Sequence, residues 1–483
     1  MGNQNSFRWR GVLAAAMVLS LTPTGALASV RIGEVSPVDI ETPHPYPQGG
    51  PGPELVWTHS LQHADATFIK LHFDEFELQG GDYLLIKDAA GNVNQRLQGS
   101  HPGGKWARAV PGDTAVLELY AEAGPKTYGL YVDKYGYGAV PVPGAPGGLA
   151  PSGPGGQQPQ LAAVGGSTTT ACGGEDREKI CQANVAARIA IADAVGSLMY
   201  ASDCGGMFSC TGFLFQQPDE SQPRAGFFMT NAHCANSQTE CDSMEVAFNY
   251  ICDGDPTGPC SLGARLNPDI FECHTFWKMS CPLDFAVHEL EPKGGFSPTE
   301  IYGALLLDPT VPSDEDALWI PQHPGFGGVG APPSDLAACE ANTTVGFGRT
   351  KEISEVGCAA GPAPIPREGT DFCSDPPLCP IPGVATGILS DLPHQCDTEA
   401  GASGSPVIDA STNTVVAIHH SGNCPPAGGG TFNQAVLMSL VIPAKDSPEI
   451  PALSGWSIGA LCVLLVTAVA VTLHRRRSAL TSA

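Results

Sequence analysis

Sixteen of the chain's seventeen cysteines lie between Cys172 and Cys424, and this clustering constrains the fold more than any other feature of the sequence. An even number of cysteines within one segment fits a framework of up to eight disulfides, which forms only in an oxidising compartment. Structural zinc is the alternative, but the segment lacks the paired CxxC spacing that such sites use, so no metal is expected.

Both ends of the chain agree with export. Arg8 and Arg10 precede an apolar run over residues 11–21, and Ala26-Leu27-Ala28 supplies small residues for a signal peptidase. Residues 1–28 are therefore expected to be a secretory signal. An N-terminal anchor is the alternative, for which the run is short. Residues 456–473 carry no charge and are followed by His474-Arg475-Arg476-Arg477, the pattern of a transmembrane helix with a cytoplasmic basic flank. The whole tail, residues 446–483, resembles the IPTL-type C-terminal sorting signals of Gram-negative bacteria. That resemblance implies the membrane and a sorting enzyme as partners, and leaves open whether the helix survives sorting. A formal charge of −25 argues against nucleic acid or anionic lipid surfaces as partners, since both need a positive face.

Three segments lie between the ends. Residues 29–138 contain no cysteine and alternate in polarity over Phe68-Ile69-Lys70-Leu71-His72-Phe73, Tyr83-Leu84-Leu85-Ile86, Ala115-Val116-Leu117-Glu118-Leu119-Tyr120 and Tyr128-Gly129-Leu130-Tyr131-Val132. Gly80-Gly81-Asp82, Ala90-Gly91-Asn92 and Pro111-Gly112-Asp113 supply the turns between these runs, and the pattern predicts an antiparallel β-sandwich. It resembles the CUB-like jelly-roll modules of secreted bacterial hydrolases. Binding to substrate or cell surface and a folding or spacer role are equally open. Residues 139–170 are rich in Pro, Gly and Ser with no charge, and are expected to be an extended tether. Residues 171–445 hold the cysteines and short β-like runs, so this segment is predicted to be all-β. The exception is residues 181–199, whose alanines support a helix.

Three motifs in the last segment carry chemistry. Thr230-Asn231-Ala232-His233-Cys234 ends an apolar strand. Leu283-Asp284-Phe285-Ala286-Val287 embeds a carboxylate in apolar surroundings, which is costly unless its charge is satisfied. In Gly401-Ala402-Ser403-Gly404-Ser405-Pro406, flanking glycines permit a sharp turn that exposes the Ser403 hydroxyl and aims backbone N–H groups at one point. The order His, Asp, Ser excludes the α/β-hydrolase and subtilisin arrangements.

In this order and these contexts the motifs resemble the chymotrypsin/trypsin-like serine proteases over about 270 residues. The resemblance implies an all-β, chymotrypsin-like double β-barrel preceded by the sandwich. It also implies a secreted or surface-anchored endopeptidase acting on extracellular proteins through a His233, Asp284, Ser403 triad. Gly401 and Ser403 would form the oxyanion hole, no cofactor would be needed, and Cys210 would bridge to Cys234. Within the family, Asp397, Thr398 and His419 resemble the specificity pocket of the bacterial glutamyl endopeptidase branch. Thr398 and His419 suit an acidic side chain, whereas Asp397 suits a basic one, and the two readings stay open. A bridge between Cys396 and Cys424 would fix the pocket walls. His323 is expected in a loop near the cleft. Ala402 stands where trypsin-like zymogens carry the aspartate that pairs with a new N-terminus, so that switch is expected to be absent. A catalytically silent, protease-like binding protein is the rival reading.

Overall fold

The computed structural model of the chain describes residues 30–138, 191–203, 205–249, 269–323, 389–398, 401–421 and 433–446, with four two-residue strand fragments at 178–179, 352–353, 358–359 and 365–366. The expected signal over residues 1–28, the expected tether over 139–170, the apolar stretch 456–473 and Cys424 lie outside the described residues. Among the described residues, no helix is long and apolar enough to cross a membrane. The described residues up to 442 form one compact unit, which holds every described residue of the site.

Nine strands build the N-terminal sandwich: β1 (Val30–Glu41), β2 (Glu54–Gln62), β3 (Phe68–Glu77), β4 (Tyr83–Lys87), β5 (Val93–Gln98), β6 (Lys105–Trp106), β7 (Val110–Pro111), β8 (Thr114–Ala121) and β9 (Gly129–Gly138). One sheet runs β1-β9-β3 with β6 and β7 on its far edge, and the other runs β2-β8-β4-β5. In β8 the residues Ala115, Leu117, Leu119 and Ala121 are buried while their neighbours are half-exposed, the period-two pattern of a strand with one face in a core. That core takes Phe73, Leu84, Leu117, Leu119 and Val132 from the two sheets.

Six antiparallel strands follow: β10 (Val195–Ala201), β11 (Met207–Gln216), β12 (Phe227–Thr230), β13 (Glu245–Phe248), β14 (Asp269–Ser280) and β15 (Phe285–Leu290). They pair in the order β10-β13-β14-β15-β12-β11, and β11 pairs back onto β10, which closes a barrel. A short helix, α1 (Gln238–Ser243), sits between β12 and β13, its N-cap Ser237 accepting from the Glu240 N–H. The second barrel is a half-closed sheet of β16 (Ala317–Trp319), β17 (Leu389–His394), β18 (Pro406–Asp409), β19 (Val415–Ser421) and β20 (Asn433–Leu437) in the order β16-β18-β19-β20-β17. Its core includes Leu318, Leu392, Val407, Val416 and Leu437. The fold is thus all-β, a chymotrypsin-like double barrel preceded by a β-sandwich.

The helix expected over residues 181–199 gives way at its C-terminal end. Val195 to Met199 belong to β10, in which every residue is buried. The alanines of the expected helix all precede Val195, and Val195-Gly196-Ser197-Leu198-Met199 suits a strand covered on both faces.

The sandwich packs directly on the first barrel. β1 pairs with β9 on one side and with β11 on the other, through Arg31↔Phe208 and Gly33↔Met207, so one sheet runs through both modules. Ile32, Phe68, Trp106 and Ala109 of the sandwich share a core with Met199, Ala201, Met207 and Ala247 of the barrel. Lys70, on β3, is fully buried and pairs with the equally buried Glu245 of β13. Lys70 Nζ also donates to the Ala107 carbonyl at 2.8 Å, and Glu245 accepts from the Ala109 N–H at 2.9 Å. Beside them, Glu272 of β14 accepts from Arg108 at 2.7 Å and from Lys105 at 3.2 Å.

Candidate active site

His233 follows β12 directly, and Asp284 sits in the turn before β15, which pairs with β12 through Thr230↔Ala286. This pairing brings together two residues that are 51 apart in sequence. His233 Nδ1 lies 2.7 Å from Asp284 Oδ2, and the His233 backbone N–H donates to Oδ1 at 3.0 Å. Both side chains are about 2 % exposed, so the carboxylate's charge is met by the imidazole and an amide rather than by water. Asn231 donates from its side-chain amide to the Asp284 carbonyl at 2.7 Å. Asp284 itself has φ +47°, the left-handed region that aspartate and asparagine tolerate better than most residues.

Ser403 lies in the turn before β18 and is about 2 % exposed. β11 holds this turn through Thr211, whose N–H donates to the Ser403 carbonyl at 2.9 Å and whose hydroxyl donates to the Gly401 carbonyl at 2.9 Å. Gly401 and Gly404 adopt φ +96° and +86°. A Cβ on Gly404 would stand 2.0 Å from the Thr211 carbonyl oxygen, so only glycine fits there. The neighbouring residue on β11, Cys210, is joined to Cys234 by a disulfide, and Cys234 Sγ lies 3.9 Å from the Ser403 carbonyl oxygen. One strand therefore supports the serine turn and, through the disulfide, the residue after His233. A second bridge joins Cys241 to Cys273, and Cys281 and Cys396 are also disulfide-bonded.

The residues of the expected pocket are all buried. Asn433 donates to the Thr398 hydroxyl at 3.2 Å and to the Cys396 carbonyl at 2.8 Å, and Gln322 donates to the Asp397 carbonyl at 3.0 Å. His419, on β19, has Nδ1 3.2 Å from Nε2 of His394 on β17. Burial holds the His419 imidazole well below its usual pKa, and the neighbouring His394, His420 and His233 push the same way. Burial also brings His394 down to about 3, with His420 adding to it. Both rings are therefore neutral near pH 7. His323 is buried against β11, its N–H donating to the Thr211 hydroxyl at 3.0 Å.

Sequence reasoning passed over Asp391, His394 and His420. His420 Nε2 lies 3.1 Å from Asp391 Oδ2, and its Nδ1 lies 3.7 Å from Asp284 Oδ2. The available signal was His419-His420 in a strand with both faces buried, where two adjacent imidazoles need polar partners on opposite sides.

Two groups among the described residues have the ligand spacing for a metal, Cys210 with His233 and Cys234, and Cys241 with Cys273 and His288. In each, the two sulfurs are spent in a disulfide, which leaves one imidazole and no thiolate set to hold an ion.

No family model matches the chain. Among curated proteins it is similar to secreted RxLR effector protein 73 of Plasmopara viticola, 26 % identical over 377 residues that cover 74 % of this chain and 76 % of that one. Among solved structures it is similar to a Glu endopeptidase in complex with MPD, at 16 % identity over 57 % of this chain and 96 % of that one, TM-score 0.34. It is also similar to the active form of the Rv3671c protease of M. tuberculosis, at 16 % identity over 61 % of this chain and 92 % of that one, TM-score 0.33.

Proposed function

We propose that the double-barrel segment is a serine endopeptidase, with Ser403 as nucleophile, His233 as general base and acid, and Asp284 as the carboxylate that orients His233. The observation that carries this reading is the buried His233–Asp284 pair at 2.7 Å, with the Ser403 turn fixed to the strand whose disulfide holds the residue after His233. In the reaction, Ser403 Oγ attacks the scissile carbonyl as its proton passes to His233 Nε2. The N–H groups of Gly401 and Ser403 receive the developing oxyanion. His233 then gives the proton to the departing amine, and water hydrolyses the acyl-enzyme by the same two transfers in reverse.

For specificity, we favour an acidic residue on the N-terminal side of the cut bond. Thr398 offers a hydroxyl donor to a carboxylate, and the neutral His419 lines the pocket without the cost of burying a cation. Asp397, buried with its backbone held by Gln322, is the determinant of the rival basic reading. Export, through residues 1–28 and 446–483, fits the disulfides and the secreted character that the Plasmopara protein's name states.

The test is digestion of a mixed peptide library by the full-length protein, made with its disulfides formed, beside a Ser403→Ala control. Cuts made by the unmutated protein alone, read by mass spectrometry, support the proposal, and the residue before each cut decides between Glu or Asp and Arg or Lys. A protein that neither cuts peptides nor reacts with diisopropyl fluorophosphate at Ser403 belongs to the silent-binder class instead.

A further inference from the structure

We propose that His420 and Asp391 form a second buried imidazole–carboxylate pair, which shares the carboxylate oxygen of Asp284 with His233 and sets how strongly His233 binds a proton. The inference rests on the proposed roles of His233 and Ser403 and makes His420 a positioning residue rather than a catalytic one.

The geometry is a chain of four groups. His233 Nδ1 stands 2.7 Å from Asp284 Oδ2, and His420 Nδ1 faces the same oxygen at 3.7 Å. On its far side, His420 Nε2 meets Asp391 Oδ2 at 3.1 Å, and Asp391 Oδ1 accepts from the Ser390 hydroxyl at 2.9 Å. His420 and Asp391 side chains are 3 % and 0 % exposed, so water does not substitute for these contacts.

An imidazole between two carboxylates matches both only when it carries a proton on each nitrogen. With a proton on Nε2 alone, the Nδ1 lone pair faces the lone pairs of Asp284. With a proton on Nδ1 alone, the Nε2 lone pair faces Asp391. His420 and His233 thus compete for one acceptor, the Asp284 oxygen that His233 Nδ1 meets at 2.7 Å and His420 Nδ1 faces at 3.7 Å. The other titratable groups around it are His394 on β17 and His419 on its own strand, both neutral imidazoles that supply no compensating charge. Removing the pair is therefore expected to shift the acid limb of Ser403 reactivity, which depends on His233.

The experiment follows phosphorylation of Ser403 by diisopropyl fluorophosphate in the full-length protein, by intact mass, from pH 4.5 to 8.5. In His420→Gln the acid limb of the rate profile is expected to move up by about one pH unit, with the rate at pH 8 within about threefold of the unmutated protein. Asp391→Asn is expected to move the limb the same way by less. A purely structural role for His420 lowers the rate at every pH and leaves the limb in place, and that result overturns the proposal. A second readout needs no activity: the His233 Nδ1 proton resonance, followed by NMR in histidine-labelled protein, titrates about one unit higher in His420→Gln. An unmoved titration overturns the proposal by itself. Absence of Ser403 labelling in the unmutated protein counts against the endopeptidase reading, and the NMR titration then decides the His420 coupling.

Discussion

The charged cluster between the sandwich and the first barrel and the cluster behind His233 are built differently. At the interface each carboxylate faces a fixed cation, Lys70 on Glu245 and Arg108 with Lys105 on Glu272. Behind His233 the charged partners of Asp284 and Asp391 are imidazoles, with the His233 N–H and the Ser390 hydroxyl as further donors. Lysine and arginine keep their charge across the physiological range, while an imidazole changes charge near neutrality. The first arrangement joins the two modules, and the second is the one proposed to handle protons. Breaking the first is expected to cost stability and breaking the second to cost rate.

Ser403→Ala and Asp284→Asn test the rate side with the largest effects. Loss of the Ser403 hydroxyl is expected to lower peptide hydrolysis by on the order of 10⁶-fold. Asp284→Asn is expected to lower it by about 10⁴-fold, because the amide no longer selects the His233 tautomer. Both variants should unfold in urea close to the unmutated protein. A large loss of stability in Ser403→Ala would erase the contrast.

The stability side is tested by Lys70→Met, which leaves Glu245 buried with only the Ala109 N–H as a donor. Removing one partner of a buried pair costs about 3–5 kcal/mol, read as a lowered urea midpoint. The double variant Lys70→Met with Glu245→Gln keeps the acceptor for Ala109 and removes the stranded charge, so it should recover most of the loss. If the single variant is as stable as the unmutated protein, the pair does not hold the modules together.

The contrast also explains what the sequence revealed. The barrel segment was legible because its chemistry is local: a histidine at a strand end, a carboxylate in an apolar run, and a serine between glycines. The strands β4 and β8 were legible because one face of each lies in a core and the other does not, and β3 and β9 because their sequences alternate even where both faces are covered. The docking was not legible. Lys70 sits in an alternating strand like any outward-facing lysine, and only its partner 175 residues away makes it a buried residue. β1 carried no signal of its second pairing, because Val30 to Gly33 meet β11 through backbone groups that every residue possesses. His420 was hidden for the same reason as Lys70: Asp391, 29 residues upstream, and Asp284 give it its role.

Acid sharpens the comparison at smaller cost. Burial lowers His288 to about 4 and His394 to about 3 from an ordinary 6.5. Their unfolded forms take up protons below pH 6.5 while the folded forms do not, so stability falls as pH drops from 6.5 towards 4. Glu240 works the other way: burial raises it to about 7, so its contribution is lost as pH rises from 4.5 to 7. Together with His419, which burial lowers in the same direction, they predict stability that falls as pH drops from 6.5 towards 4, with Glu240 offsetting part of the fall between 6.5 and 4.5, read from urea midpoints across that range. His288→Phe, which removes one of these buried imidazoles, should flatten the fall between pH 6.5 and 4 by about one proton's worth of slope.

Glu272→Gln is the smallest and most specific probe. Burial pushes this carboxyl up, but Lys105 and Arg108 outweigh it and hold the group below its ordinary range, so its contribution is present above about pH 4.5 and lost on acidification. Glu272 is part-exposed, as are both of its cations, so the pair is screened by salt and its removal should cost on the order of 1 kcal/mol in dilute buffer. Raising the salt to 1 M should shrink that difference, whereas the Lys70→Met loss should persist, because the Lys70–Glu245 pair is out of reach of ions. A loss in Lys70→Met that fades with salt to the same degree would mean that water enters the interface, and the distinction between a sealed contact and a screened one would fall.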